Sequence, residues 1–122
     1  DVLLLGLACG LVTNNILVVN NYRDLEEDIL ASKRTLVVML GRRFAQIQYL
    51  GSIVLAAVIL LVLAGKQHDF WLCLAGVPLS YGVVIGSRLH RLSTADEFLK
   101  ALKASGVIVA AFGILVSLGL LI

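Results

Sequence analysis

Four apolar runs of membrane-crossing length constrain this chain more than any motif in it. They cover about residues 2–19, 44–64, 70–87 and 98–122. A helix rises about 1.5 Å per residue, so each run can cross a hydrocarbon core of about 30 Å. Lipid offers no partners for backbone N–H and C=O groups, so each run must be a helix. The predicted fold is therefore all-α, a polytopic membrane bundle of four transmembrane helices. Composition agrees: 60% of the residues are hydrophobic, against about 45–50% in a soluble domain. Pro78 is the only proline and is expected to kink the third helix rather than end it. The eleven glycines, with Ala and Ser, allow helices to approach closely.

Three polar segments separate the runs. The first, residues 20–43, holds Arg23, Lys33, Arg34, Arg42 and Arg43; the second, about residues 65–69, holds only Lys66. The third, about residues 88–103, holds Arg88, Arg91, Lys100 and Lys103. Positive segments stay on the cytoplasmic side, so the first and third are expected to face the cytoplasm and the second to face out. An integral membrane protein is expected, in a bacterial inner membrane with residues 20–43 on the cytoplasmic side. The net charge of +2 gives no footprint for nucleic acid. Cys9 and Cys73 lie far apart inside apolar runs and read as buried reduced thiols. The chain begins at Asp1 without the basic start or cleavage site of a signal peptide, and it is expected to be part of something longer.

Chemistry concentrates in Asn20-Asn21-Tyr22-Arg23-Asp24-Leu25-Glu26-Glu27-Asp28. Asn20, Asp24 and Asp28 recur every four residues, which on a helix stacks them along one face. An amide and two carboxylates so placed would offer hard oxygen to a divalent cation, magnesium better than zinc because no Cys or His is near. Lys33 and Arg34 follow with fixed positive charge, as a diphosphate requires. Like charges at Asp24–Glu27 and Asp24–Asp28 oppose helix formation by about 0.2–0.5 kcal/mol each, and pairing of Arg23 with Glu27 would offset part of this. On composition alone the segment reads equally well as a solvated loop; only the shared face favours a site. The remainder of residues 20–43 is expected to hold a helical extension and a short cap helix.

The run Asn20 to Asp24, then Asp28, Lys33-Arg34-Thr35-Leu36 and Leu40-Gly41-Arg42, resembles the second Asp-rich motif of the UbiA superfamily of intramembrane prenyltransferases. Asn-Asn before Arg-Asp, with Lys-Arg-Thr-Leu downstream, looks most like the branch that prenylates 1,4-dihydroxy-2-naphthoate in menaquinone biosynthesis. The resemblance is dense over about residues 14–50; Val-Pro-Leu at 77–79 extends it. It implies a nine-helix enzyme of which residues 1–122 are the C-terminal part of one transmembrane domain, holding the last four helices. The N-terminal half, with the first Asp-rich motif, would be missing, and this part would be inactive alone. The resemblance further implies Mg²⁺ on Asp24 and Asp28, with Asn20 and Arg23 supporting the bound group. Lys33 and Arg34 would stabilise the departing diphosphate of a polyprenyl diphosphate, and the ring would then lose its carboxylate as CO2. Two departures stand out: Ser32 replaces the Gly usual before Lys-Arg, and Phe98-Leu99 replaces a frequent Leu-Asn.

Other polar residues have simpler expectations. Asn14 and Asn15 should face protein or a substrate cavity rather than lipid. Tyr22 is a candidate to face an allylic cation. Gln46 and Gln48 read as interfacial, Trp71 and Tyr49 as interface anchors, and Tyr81 as packed mid-span. His68 and His90 read as solvated. Thr94 is a candidate N-cap, with Asp96 and Glu97 in the first turn of the last helix. Competing functions are another UbiA-type enzyme such as a 4-hydroxybenzoate polyprenyltransferase, a transporter fragment with an acidic vestibule, or a membrane partner subunit. A transporter would place ionisable residues deep in its spans, and none falls there.

Overall fold

The computed structural model describes residues 1–67 and 70–121; the expectation for His68 falls outside them. Every regular element described is helical. The elements are α1 (Val2–Arg23), α2 (Leu25–Leu30), α3 (Leu36–Gln67), a 3₁₀ segment (Phe70–Ala75), α4 (Gly76–Arg88), a 3₁₀ turn (Leu89–Arg91) and α5 (Ala95–Gly119). Four segments are long and apolar enough to cross a membrane: Val2–Arg23, Leu36–Lys66, Trp71–Arg91 and Ala95–Gly119. The four-span expectation therefore holds.

Each long helix turns one stripe inward. On α1 the buried residues are Leu5, Ala8, Val12, Asn15, Val18, Val19 and Tyr22; on α5 they run from Phe98 through Ala101, Ser105, Ile108 and Phe112 to Val116 and Gly119. Steps of three and four residues keep a stripe facing one side of a helix. In the bundle, α1 packs on α3 and α5, and α4 packs on the same two helices from the opposite corner. Outward faces stay apolar, with Leu3, Leu7, Leu17, Leu61, Val62 and Val107 exposed, as a helix in lipid requires.

Close approach of α4 to α3 depends on Gly86. A Cβ there would stand 2.6 Å from Tyr49 Cδ1 and 2.7 Å from Leu50 Cδ2. Where lipid removes the hydrophobic drive between helices, small residues let backbones meet and polar contacts add specificity. Both devices converge on Tyr49. Its carbonyl accepts from Asn15 Nδ2 at 3.2 Å, and its hydroxyl bonds Ser105 Oγ at 3.1 Å. This polar line joins α1, α3 and α5 through the core, and each such bond is worth about 0.6 kcal/mol in a membrane bundle. Asn15 thus faces protein, with its Oδ1 buried and unpartnered among the described residues.

Several expectations need correction. Tyr49 is 1% exposed, so it is a core residue and not an interface anchor; the inward stripe of α3 takes it. Tyr81 is 55% exposed, because Gly82 and Ile85 take the inward face of α4. Pro78 does not kink a continuous helix. The third span starts as 3₁₀ and becomes α at Gly76, placing Pro78 in the first α turn, where its missing N–H removes no helix bond. Cys73 is exposed and Cys9 half-buried, both free thiols, so neither is the deeply buried thiol expected.

Candidate functional site

Residues 20–43 fold as a break, a short helix and a second break. Asp24 has φ −87° and ψ 9°, which ends α1 without losing its hydrogen bonds. Asp24 N–H still donates to Asn20 O at 3.0 Å, and Asp28 N–H to Asp24 O at 2.8 Å. The backbone keeps its four-residue step, but ψ is about 50° from a helical value, and the chain beyond Asp24 is reoriented. Then α2 ends in a Schellman turn. Lys33 N–H donates to Asp28 O at 2.9 Å and Ser32 N–H to Ile29 O at 3.1 Å, with Ser32 at φ 54°. This is the left-handed position where glycine is the usual residue. The helical extension and short cap helix expected for this segment are both present.

Both aspartates of the segment have basic partners. Asp24 turns its carboxylate onto Arg23, with Nε–Oδ1 2.6 Å and Nη2–Oδ2 3.0 Å. Asp28 is buried and accepts from Lys33 Nζ at 3.0 Å, because the Schellman turn folds Lys33 back over it. The side chain of Asn20 joins neither pair. Arg23 pairs with Asp24 instead of the expected Glu27. Arg42 Nη2 bonds Glu26 Oε1 at 2.9 Å and holds its guanidinium 5.3 Å from the Tyr22 ring centroid. Tyr22 also meets Phe98, at 6.0 Å between centroids, so the cation on its face is Arg42. Arg34 is exposed and enters none of these pairs.

Electrostatics follow the pairing. Hydrogen bonds from Arg23 hold the Asp24 carboxyl below its ordinary value, against a smaller opposing effect of burial. The hydrogen bond and charge of Asp28 hold the Lys33 ammonium above its ordinary value.

Beside these pairs lies a cleft of about 470 Å³, lined by Arg23, Asp24 and Glu27 on one side and by Ala95 and Leu99 of α5 on the other. Glu27 and the α5 wall were not among the predicted site residues. Glu27 lies three residues after Asp24, a helix-neighbour spacing that could have flagged it. Leu99, one of the two departures from the resembled pattern, makes that wall apolar. No group of three or more His, Cys, Asp or Glu side chains converges among the described residues. Two carboxylates on the cleft, Asp24 and Glu27, suit a hard cation that takes its remaining ligands from phosphate and water. Asp28 faces Lys33 and lies outside the cleft lining.

The second basic segment meets this end of the bundle. Gln46 Nε2 donates to Gly86 O at 3.0 Å and Ser87 O at 3.1 Å, and contacts His90 Nδ1 at 3.1 Å. Gln46 therefore caps the last carbonyls of α4. Thr94 and Glu97 form the expected N-cap of α5 as a reciprocal capping box.

A family model described as the UbiA prenyltransferase family matches residues 1–107. No curated protein and no solved structure matches the chain. The family match covers most of the 122 residues and includes α1 to α4, the cleft and the start of α5. The chain belongs to the UbiA prenyltransferase family, whose members use prenyl diphosphates and aromatic acceptors.

Proposed function

We propose that this chain provides the second Asp-rich segment of an enzyme that transfers a polyprenyl group to 1,4-dihydroxy-2-naphthoate, in menaquinone biosynthesis. Diphosphate and CO2 would be released. The observation that supports the reading is the family match over residues 1–107, together with the order Asn-Asn-Tyr-Arg-Asp and Lys-Arg-Thr-Leu in residues 20–36. In this proposal residues 1–122 are the C-terminal part of one transmembrane domain. The Asp-rich end faces the cytoplasm of a bacterial inner membrane.

The diphosphate head would enter the 470 Å³ cleft, with its prenyl tail running down among the helices. Asp24 would hold Mg²⁺ from the cleft wall, with Glu27 beside it. Asp28 would join only if Lys33 leaves it for a phosphate oxygen. When bound, the metal would neutralise charge on the diphosphate as the allylic C–O bond breaks. Arg23 is held at the cleft by Asp24, so a diphosphate would find one positioned cation there, and Lys33 would join it on leaving Asp28. Arg34, exposed and in no ion pair among the described residues, could reach the head from outside. The apolar wall at Ala95 and Leu99 would keep water from the cation left behind. Two carboxylates are about one metal's share, so a second acidic segment, outside these residues, is part of the proposal.

The test uses membranes containing the complete enzyme of which residues 1–122 are the proposed C-terminal part, with a polyprenyl diphosphate, Mg²⁺ and a panel of aromatic acceptors. Prenylation of 1,4-dihydroxy-2-naphthoate is expected, with loss of turnover of about 10²-fold or more in Asp24→Asn while the protein remains inserted. Prenylation of 4-hydroxybenzoate alone would refute the acceptor. Full turnover of Asp24→Asn would refute the metal assignment.

A further inference from the structure

A second groove lies between α4 and α5, on a different face of α5 from the diphosphate cleft. Its volume is about 270 Å³. Tyr81, Val84 and Arg88 line it from α4, and Glu97, Lys100 and Ala104 from α5. These positions step by three, four or seven residues, so each set forms one stripe along its helix. The two stripes share a polarity. Arg88 and Lys100 stand at the end toward the 88–94 turn, while Tyr81 and Ala104 lie about 10 Å and 6 Å deeper at 1.5 Å per residue. The groove is thus basic at its mouth and apolar along its floor.

Charge at the mouth is not balanced by its own acid. Glu97 Oε2 accepts from Ser93 N–H at 2.8 Å and Thr94 N–H at 3.0 Å, so its charge serves the cap of α5. Lys100 pairs with Asp96 at 2.6 Å, both side chains exposed. Arg88 is exposed at the last residue of α4 and forms no ion pair among the described residues. Tyr81, 55% exposed, gives the deeper part an aromatic edge.

An unpaired guanidinium at the mouth of an apolar groove, at the end of a membrane span, matches one molecule always present around such a protein. We infer that the α4–α5 groove binds an anionic phospholipid, its phosphate on Arg88 and one acyl chain on the floor between Tyr81 and Ala104. Guanidinium complements phosphate through paired N–H donors. The groove supplies what an exposed arginine alone lacks, an apolar track leading inward from the charge. This inference does not depend on the proposed reaction.

Native mass spectrometry of the purified protein in detergent, with added dioleoylphosphatidylglycerol or dioleoylphosphatidylcholine, tests it. The wild type should retain one phosphatidylglycerol in clear preference to phosphatidylcholine. Arg88→Gln should weaken that retention about fivefold, the worth of one basic side chain at an anionic surface. Arg88→Lys should keep most of it, and Arg91→Gln, which removes a charge outside the groove, should leave it unchanged. Equal retention of the two lipids, or an equal loss in Arg91→Gln, would overturn the inference. So would a dimer free of lipid, which would assign the groove to a second copy of the chain.

Discussion

Two polar junctions sit at the same end of this bundle and solve the same problem differently. At the α1–α2–α3 junction, acids meet bases: Asp24 with Arg23, Asp28 with Lys33, Glu26 with Arg42. At the α4–α5 junction the key acid meets backbone: Glu97 closes a capping box on Ser93 and Thr94, and Arg88 has no ion pair among the described residues. The first arrangement holds exchangeable charge, since a metal could replace each base and a phosphate each acid. The second is structural, because a carboxylate spent on amide N–H groups fixes a helix start. A segment with four acids in five positions at 24–28 can become a ligand site only if its charges can trade partners.

The sharpest way to break the first junction is through Gly41. It has φ 85° and ψ 170° at a kink near the start of α3, a region almost closed to other residues. A Cβ there would meet nothing beyond its own chain neighbours within 4 Å, so the main cost of Gly41→Val is backbone strain. A loss of about 1–3 kcal/mol is expected, read by thermal or denaturant unfolding in detergent. Arg42 should lose its hold on Glu26 at the same time. Gly41→Val at wild-type stability would show that the break is not needed.

The second junction should respond through its cap. Thr94→Ala removes the acceptor for Glu97 N–H and should cost about 1 kcal/mol. In the complete enzyme it should leave prenyl transfer unchanged if the α4–α5 junction is purely structural. A large loss of activity at intact stability would erase the contrast between the two junctions.

These junctions also mark how far sequence reading reaches. The four spans were legible because lipid enforces helices on long apolar runs, and the capping box because Thr94-Ala-Asp-Glu97 is a local pattern. The stripe that buries Tyr49 and exposes Tyr81 was not legible, since both lie in runs apolar on every face and only the neighbouring helix selects the inward side. In the acidic segment, residue types and spacing singled out Asp24, Asp28 and Lys33, of which only Asp24 lines the cleft. Spacing alone then implied one face. It could not show the ψ of 9° at Asp24 or the left-handed Ser32, and those two torsions decide which base each acid meets. The apolar wall from α5 is a tertiary neighbour with no local signal.

Ser32 offers a change of opposite sign. A residue with a Cβ at φ 54° carries left-handed strain that glycine does not. Ser32→Gly should stabilise the protein by about 0.5–1 kcal/mol, raising the unfolding midpoint slightly while Lys33 stays on Asp28. Destabilisation would mean that the Ser32 side chain does more at this turn than tolerate it.

The smallest effect expected is with pH, and its sign follows from the pairing. Arg23 lowers the Asp24 carboxyl below its free value of about 3.9. Its contribution to stability is complete above that value and is lost as pH falls through the lowered folded value. Asp28 raises Lys33 above its free value of about 10.4; that contribution is complete below about 10.4 and is lost only as pH rises through the raised one. Between about pH 5 and 9 neither group changes charge, so the acid–base junction should be silent there. Carboxyl-carbon NMR of the protein in micelles should show Asp24 titrating on the acid side of an ordinary aspartate. Titration at or above the ordinary value would mean that Arg23 does not hold it, and the first junction would then be as open as the loop that composition alone suggests.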